Sequence, residues 1–246
     1  MSFIVVIPAR FGATRLPGKP LLDIAGKPML QHVFERASES EADGVWIATD
    51  DERIRVAAES FGARVCMTSP EHRSGTDRIQ EVVAQLGLDD QARVVNVQGD
   101  EPLLPPQAIN QVARNLENFP AAGISTLCEL ITRQEELHSP NAVKVVFDAQ
   151  GYALYFSRAA IPHGSSVQAA NAFRHIGIYG YRVATLHQFK AWPPAALEIT
   201  EKLEQLRALT NGVKIHVEVS QHRIPPGVDT EQDLAAVRAH IARLKE

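Results

Sequence analysis

The strongest constraint on the fold is a rhythm: from residue 3 to residue 117, short apolar runs alternate with amphipathic stretches. FIVVI at 3–7 reads as a buried strand, and residues 28–38 set Met29, Leu30, Val33, Phe34 and Ala37 on one helical face. GVWIAT at 44–49 is the next strand, and a short helix over 52–61 turns Ile54, Ala57, Ala58 and Phe61 inward. Residues 63–68 form a strand, SGTDRIQEVVAQL a helix carrying Ile79, Val82, Val83 and Leu86, and RVVNV at 93–97 a strand. Pro105 and Pro106 can open a helix over 105–117, since the first helical position has no use for an N–H. Continuously apolar strands separated by helices predict an α/β fold, a mostly parallel sheet with helices on both faces.

The rhythm then changes. AVKVVFD and YALYFSR flank AQG, where Gly151 supplies the turn of a β-hairpin. IPHGSSVQAANAF reads as a loop, RHIGIYGYRV as a strand, EITEKLEQLRAL as a helix and KIHVEVS as a strand. In VDTEQDLAAVRAHIARL, Thr230 can cap a last helix and Asp233 can return the bond. No repeat, low-complexity tract or linker interrupts the chain. The expectation is one domain over 1–246, with an antiparallel piece inserted at about 140–185.

The formal charge of −4 argues against a general nucleic-acid binder, which needs a basic face to meet phosphates. The two cysteines, Cys66 and Cys128, sit in apolar runs and read as buried free thiols, suited to a reducing compartment. The first apolar run has five residues, too few for a signal-peptide core, and no later stretch is long enough to span a membrane. The expected location is the cytoplasm, with no membrane partner.

The loop after the first strand, PARFGATRLPGKPL at 8–21, carries the first functional signal. The carboxyl end of a strand is where an open α/β sheet binds ligands. The loop holds Arg10, Arg15 and Lys19 among glycines and prolines. Glycines let backbone N–H groups approach a ligand, prolines stiffen the path, and a triphosphate would neutralise the three cations. A solvated basic loop is the alternative. The sequence is neither a Walker A motif nor GxGxxG. VVNVQGDEPLL sets Asp100 just past another strand, where a carboxylate can hold Mg²⁺ or simply open a turn. Asp229 can favour the last helix's N-terminus electrostatically, and Asp50, Asp51 and Asp77 read as caps or turn residues. No Ser-His-Asp set or activated cysteine is visible.

Taken in order, PAR-x3-TRLPGKPL, EHRSGTDR, VNVQGDEP, NAVKVV, YFSRAAIP, RHIGIYGYR, LEQLR and GVDTEQDL resemble the 3-deoxy-manno-octulosonate (Kdo) cytidylyltransferases, over nearly the whole chain. The first block is shared in looser form with other nucleotidyltransferases; the later blocks are more specific. The resemblance implies a Rossmann-like fold, transfer of CMP from CTP to Kdo with release of pyrophosphate for lipopolysaccharide synthesis, Mg²⁺ as cofactor, and a homodimer built through the antiparallel segment. It implies that Arg10 and Lys19 bind the phosphates with Arg15 nearby. It places Ala9, Ser74 and Gln98 around the cytidine, Mg²⁺ on Asp100 and Asp229, and the sugar acid among Arg158, His175, Tyr179, Glu204 and Gln205. Arg10, Lys19, Asp100 and Asp229 would carry catalysis. IPHGSSVQAANAF departs from the family in being shorter and less charged. For the pocket residues the residues alone leave plainer roles open: a surface cation for Arg158, core packing for His175 and Tyr179, an exposed helix face for Glu204 and Gln205. A cytidylyltransferase for a related sugar acid, such as 8-amino-Kdo or a sialic acid, would use the same residue types. A sugar-1-phosphate pyrophosphorylase or a non-enzymatic nucleotide binder are the more distant readings.

Overall fold

The computed structural model describes residues 2–12, 16–72, 74–164 and 166–243. The expected rhythm is present. Strand β1 (Ile4–Ala9) leads through the 3-10 turn Lys19–Leu21 and the two-stranded ribbon of β2 (Asp23–Ile24) and β3 (Lys27–Pro28) into helix α1 (Met29–Ser38). Then come β4 (Gly44–Thr49), α2 (Glu52–Ser60), β5 (Arg64–Met67), α3 (Gly75–Gln85), β6 (Arg93–Asn96) and α4 (Pro106–Asn118). Pro106 opens α4 as expected. Asp51 caps α2 through Arg53 N, and Ser74 and Asp77 form a reciprocal cap on α3.

The second half holds β7 (Ile124–Leu130), α5 (Gln134–His138), β8 (Lys144–Phe147), β9 (Ala153–Ser157), α6 (Val167–Ala170) and β10 (Phe173–Arg182). It ends with α7 (Val183–Ala191), α8 (Ala196–Glu201), α9 (Gln205–Thr210), β11 (Ile215–Val219) and α10 (Glu231–Arg243). The β8–β9 hairpin turns at Gly151, whose φ of 83° suits glycine. Thr230 and Asp233 cap α10 as expected: Thr230 N donates to Asp233 Oδ2 at 2.8 Å and Asp233 N to Thr230 Oγ1 at 3.2 Å.

One nine-stranded sheet runs in the order β11-β7-β10-β6-β1-β4-β5, with β8 attached to β10 and β9 to β8. β6, β1, β4 and β5 are parallel neighbours. Val5 and Ile7 face one helical layer while Val6 faces the other, so β1 is buried on both sides. Helices α1, α2 and α4 pack on the first face, and α3, α7 and α9 on the second. A third cluster packs Leu234, Val237 and Ile241 of α10 against Leu16, Ile24 and Met29.

Beyond the short helix α6 inside the expected loop IPHGSSVQAANAF and the unannounced helix α7, three features differ from the sequence expectation in ways that shape the site. β7 is a central strand that the periodicity does not announce, because Ser125 and Thr126 interrupt its apolar run. Ser125 Oγ donates to Val112 O at 2.8 Å, and the single Thr126 hydroxyl proton is shared between Ile178 O at 2.7 Å and Ile176 O at 3.0 Å, so both hydroxyls are satisfied in the interior. The antiparallel segment is part of the main sheet: β10 lies between β7 and β6, antiparallel to both. It pairs with β8 at Phe173 and Arg174 and with β6 from Tyr179 to Arg182, and a bulge falls between Ile176 and Tyr179. Finally, the helix expected over EITEKLEQLRAL is two short helices, α8 and α9, broken at Lys202, whose φ is 55°. Cys66 and Cys128 are buried and free, as expected.

At Gly180, β10 has no room for a side chain toward α4. A Cβ on Gly180 would lie 2.6 Å from Ser125 Oγ and 2.9 Å from Val112 Cγ1. Gly180→Ala should cost about 1–3 kcal/mol through overpacking. In urea unfolding the midpoint should fall with the slope unchanged.

Candidate active site

The loop after β1 folds back on itself. Gly18 N donates to Phe11 O and Lys19 N to Leu16 O, both at 3.0 Å, and Gly18 has a φ of 68°. The Phe11 ring packs on Gly18, where a Cβ would sit 3.1 Å from it, and Arg53 lies 3.3 Å over the ring centroid. This brings Lys19 back to the carboxyl ends of β1 and β6. Those ends approach closely because residue 99 is glycine, whose Cβ would lie 3.0 Å from Pro8 O. The result is a cavity of about 220 Å³ whose lining includes Ala9, Arg10, Lys19, Gln98 and Asp100.

At its floor, Lys19 Nζ donates to Asp100 Oδ2 at 2.6 Å and to Asp229 Oδ1 at 3.0 Å. Asp229 arrives there because Val228 N donates to Asp100 O at 2.8 Å and α10 packs behind it. Its own N–H donates to Asp233 Oδ2 at 3.1 Å. Burial works to lower the Lys19 pKa, but the two carboxylates, Asp100 foremost, outweigh it and hold it above the usual lysine value. Lys19 is therefore a fixed positive charge. Among the described residues, no three His, Cys, Asp or Glu side chains gather as a metal-binding group, so a cation here would draw further ligands from substrate or water.

Beneath this cavity lies a pair the sequence reading passed over. Arg78 of α3 is fully buried and pairs with Asp50 Oδ1 at 3.1 Å and with Thr68 Oγ1. Burial lowers its pKa, Asp50 raises it, and the nearby Arg10 charge lowers it again. Asp50 is thus the partner of a buried guanidinium rather than a turn residue. The repeated Asp-Arg chemistry in EHRSGTDR and ATDDER was visible, but nothing local told which side chains turn inward.

A second cavity of about 90 Å³ adjoins the first through Gln98, which lines both. Gly75, Thr76, Asn96, Tyr179, Glu204 and Gln205 line it. Glu204 and Gln205 reach it because α8 ends at Lys202 and α9 starts anew. Burial pushes the Glu204 carboxyl up, and hydrogen bonds from Ser74 and Thr76 only partly offset this. Ser74, expected beside the base, is committed to the α3 cap and to Glu204. Asn96 Oδ1 and Gln205 Nε2 are buried without a hydrogen-bond partner. Orphaned polar atoms in a cavity mark positions for a ligand or water to satisfy. Asn96 was missed because it reads as an interior residue of the buried strand RVVNV.

The structure therefore gathers Ala9, Arg10, Lys19, Gln98, Asp100 and Asp229 at one cavity, and Tyr179, Glu204 and Gln205 at its neighbour. Arg158 and His175 line neither. The Arg158 guanidinium grips the α8–α9 corner: Nε donates to Glu201 O and Nη1 to Pro140 O, both at 2.8 Å. His175 lies behind Tyr179, 5.3 Å between ring centroids, with Thr126 Oγ1 3.0 Å from its Nε2. Arg15 lies outside the described residues. No helix among the described residues is long and apolar enough to cross a membrane.

A mostly parallel α/β fold with a cationic loop, one carboxylate past β6 and another before α10 is the frame of a nucleotidyltransferase, and the cytidylyltransferase family matches residues 4–215. The chain is 59% identical, over 97% of each chain, to the 3-deoxy-manno-octulosonate cytidylyltransferase of Marinobacter nauticus. It is 53% identical to that of Haemophilus influenzae, over 98% of this chain and 99% of the relative. A solved structure of CMP:2-keto-3-deoxy-manno-octonic acid synthetase complexed with CTP superposes with a TM-score of 0.92, at 42% identity over 99% of both chains. 4-Diphosphocytidyl-2C-methyl-D-erythritol synthase, at 15% identity and a TM-score of 0.66, shares the fold alone. The chain is an enzyme and belongs to the 3-deoxy-manno-octulosonate cytidylyltransferase family.

His175 gives a test of the interior. Burial, and secondarily Arg174, push its pKa from 6.5 down to about 3. The folded protein keeps the ring neutral where the unfolded chain protonates it. Its contribution to stability is full above about pH 6.5 and is lost as pH falls toward 3. His175→Gln should flatten the decline of Tm with acidity in that window, read by thermal unfolding across the pH range.

Proposed function

We propose that this protein transfers CMP from CTP to the anomeric hydroxyl of Kdo and releases pyrophosphate, supplying activated sugar for lipopolysaccharide synthesis. The observation that carries the reading is the convergence of Asp100 and Asp229 on one cation, the Lys19 ammonium, beside a cavity with unsatisfied Asn96 and Gln205 atoms. The relatives named 3-deoxy-manno-octulosonate cytidylyltransferase, and the similar synthetase complexed with CTP, support the choice of CTP and Kdo.

In this reading the triphosphate lies in the larger cavity, with Arg10 and Lys19 meeting its β and γ phosphates. Gln98 reaches both cavities and is suited to reading the cytidine, beside Ala9. The sugar acid occupies the region of Tyr179, Glu204 and Gln205, and Arg158, which holds the α8–α9 corner behind that lining, is the guanidinium assigned to its carboxylate. The sugar C2 hydroxyl forms the new bond to the α-phosphorus as the bond to pyrophosphate breaks. The chain's part is to hold the two in line and to stabilise the charge that develops on the leaving group.

The donor set at Asp100 and Asp229 fits Mg²⁺: two carboxylates already share one positive charge at 2.6 and 3.0 Å, and phosphate oxygens can supply the other ligands. When bound, such an ion lowers the pKa of the attacking hydroxyl and screens the phosphates. Lys19 is then available to the triphosphate. The exposed apolar Leu154 on β9 and Leu130 at the end of β7 support a homodimer through the antiparallel segment. The two free buried thiols support a cytoplasmic location.

Asp100→Ala should lower pyrophosphate release by at least about a hundredfold while leaving Tm nearly unchanged. Activity within a few-fold of normal in Mg²⁺ would remove the metal assignment. Arg158→Ala should raise the KM for Kdo far more than that for CTP, and parallel assays with 8-amino-Kdo and a sialic acid should show Kdo preferred. Equal change in both KM values, or preference for another sugar acid, would overturn the corresponding part of the reading.

A further inference from the structure

Lys144 on β8 is fully buried, yet the described residues place no carboxylate within ion-pair distance of it. Its ammonium instead donates to three backbone carbonyls: Ser139 O at 2.8 Å, Ala142 O at 2.5 Å and Arg158 O at 2.6 Å. An ammonium has three donors, and all three are used. Burial pushes the Lys144 pKa down, and the Glu201 charge, acting without direct contact, only partly offsets this. Burying a charge with no contacting carboxylate is costly, so a side chain kept this way is expected to serve a geometric purpose.

The three acceptors indicate that purpose. Ser139 and Ala142 bracket Pro140, whose carbonyl receives Arg158 Nη1 at 2.8 Å. The third acceptor is the carbonyl of Arg158 itself. Lys144 thus fixes both the backbone from which the Arg158 side chain leaves and the turn on which its guanidinium rests. On its other side the guanidinium takes Glu201 O at 2.8 Å, and the Arg158 N–H takes the Glu201 carboxylate at 2.9 Å. Arg158 is held on both flanks, and the chain it grips at Glu201 leads within four residues to Glu204 and Gln205 in the smaller cavity. Nη2 also reaches Lys202 O at 3.5 Å. A guanidinium has five donors, so after these three contacts about two N–H groups remain for a carboxylate.

We propose that Lys144 is a positioning residue for the sugar acid: by organising the 139–142 turn and the end of β9, it presents the Arg158 guanidinium to the substrate carboxylate. This rests on Arg158 meeting the sugar carboxylate. A lysine needed only to fill space or stabilise the hairpin would affect stability and both substrates alike. A positioning lysine acts through Arg158, so its effect depends on Arg158 being present.

The test is a double-mutant cycle in the full-length enzyme, measuring KM for Kdo and for CTP by pyrophosphate release. Lys144→Met should raise the Kdo KM on the order of tenfold and leave the CTP KM within about twofold. In an Arg158→Ala background the same substitution should change the Kdo KM by less than about twofold, because the group it positions is gone. Where Lys144→Met does not fold, Lys144→Gln keeps two donors for the same carbonyls and carries the cycle with a smaller effect in the same direction. A similar rise in both KM values, or the same fold-rise with and without Arg158, overturns the assignment. The two ways of failing are distinct. An unchanged Kdo KM in Arg158→Ala alone removes the carboxylate role of Arg158 and Lys144's role with it. A normal Kdo KM in Lys144→Met, with Arg158→Ala impaired, overturns the Lys144 assignment alone.

Discussion

The ion-pair junction of Lys19 with Asp100 and Asp229 is the constraint on which the site depends. It ties the loop after β1 to the end of β6, 81 residues on, and to the segment before α10, 210 residues on. Exposed ion pairs contribute little to stability, and Asp229 is largely exposed. The contacts that bring these charges together are apolar and backbone ones. Leu16, Met29, Val228 and Leu234 pack as one cluster, and Val228 N bonds Asp100 O. The fold supplies the approach, and the charges supply the chemistry at the place where it ends.

The two adjoining cavities follow from the way β10 is used. Along its length it exchanges one partner for another, β8 at its start and β6 at its end, with a bulge between. Bulges re-aim side chains next to sites. Here Thr126 bonds both carbonyls flanking the bulge, and Tyr179 emerges beside Asn96 of β6. The smaller cavity opens there, next to the triphosphate end, so the two substrates would meet across Gln98.

The α8–α9 corner shows how a break in secondary structure becomes functional. Nothing in EITEKLEQLRAL marks a stop, since it lacks proline and glycine, and its charge pattern suits a single helix. The break comes from elsewhere in the chain. Arg158 takes the carbonyl of Glu201, Glu201 takes Ser157 and the Arg158 N–H, and Lys202 turns into the left-handed region. Glu204 and Gln205 then point into the cavity instead of along a solvated face.

The strand-helix alternation of the first half, the capped starts of α3 and α10, the hairpin at Gly151 and the cationic loop were legible because each is written in local spacing and side-chain type. The ordered blocks from TRLPGKPL to GVDTEQDL also gave the family. Tertiary structure alone decided that β7 is a central strand, that β10 divides the sheet's parallel parts, that Asp50 belongs to a buried Arg78, and that Lys144 is enclosed by carbonyls. It also decided that Arg158 and His175 stand behind the cavities rather than in their lining. Periodicity reports how a residue relates to its near neighbours in the chain. Which polar groups are taken out of water together depends on contacts between distant segments, and burial then requires each to find its partner there.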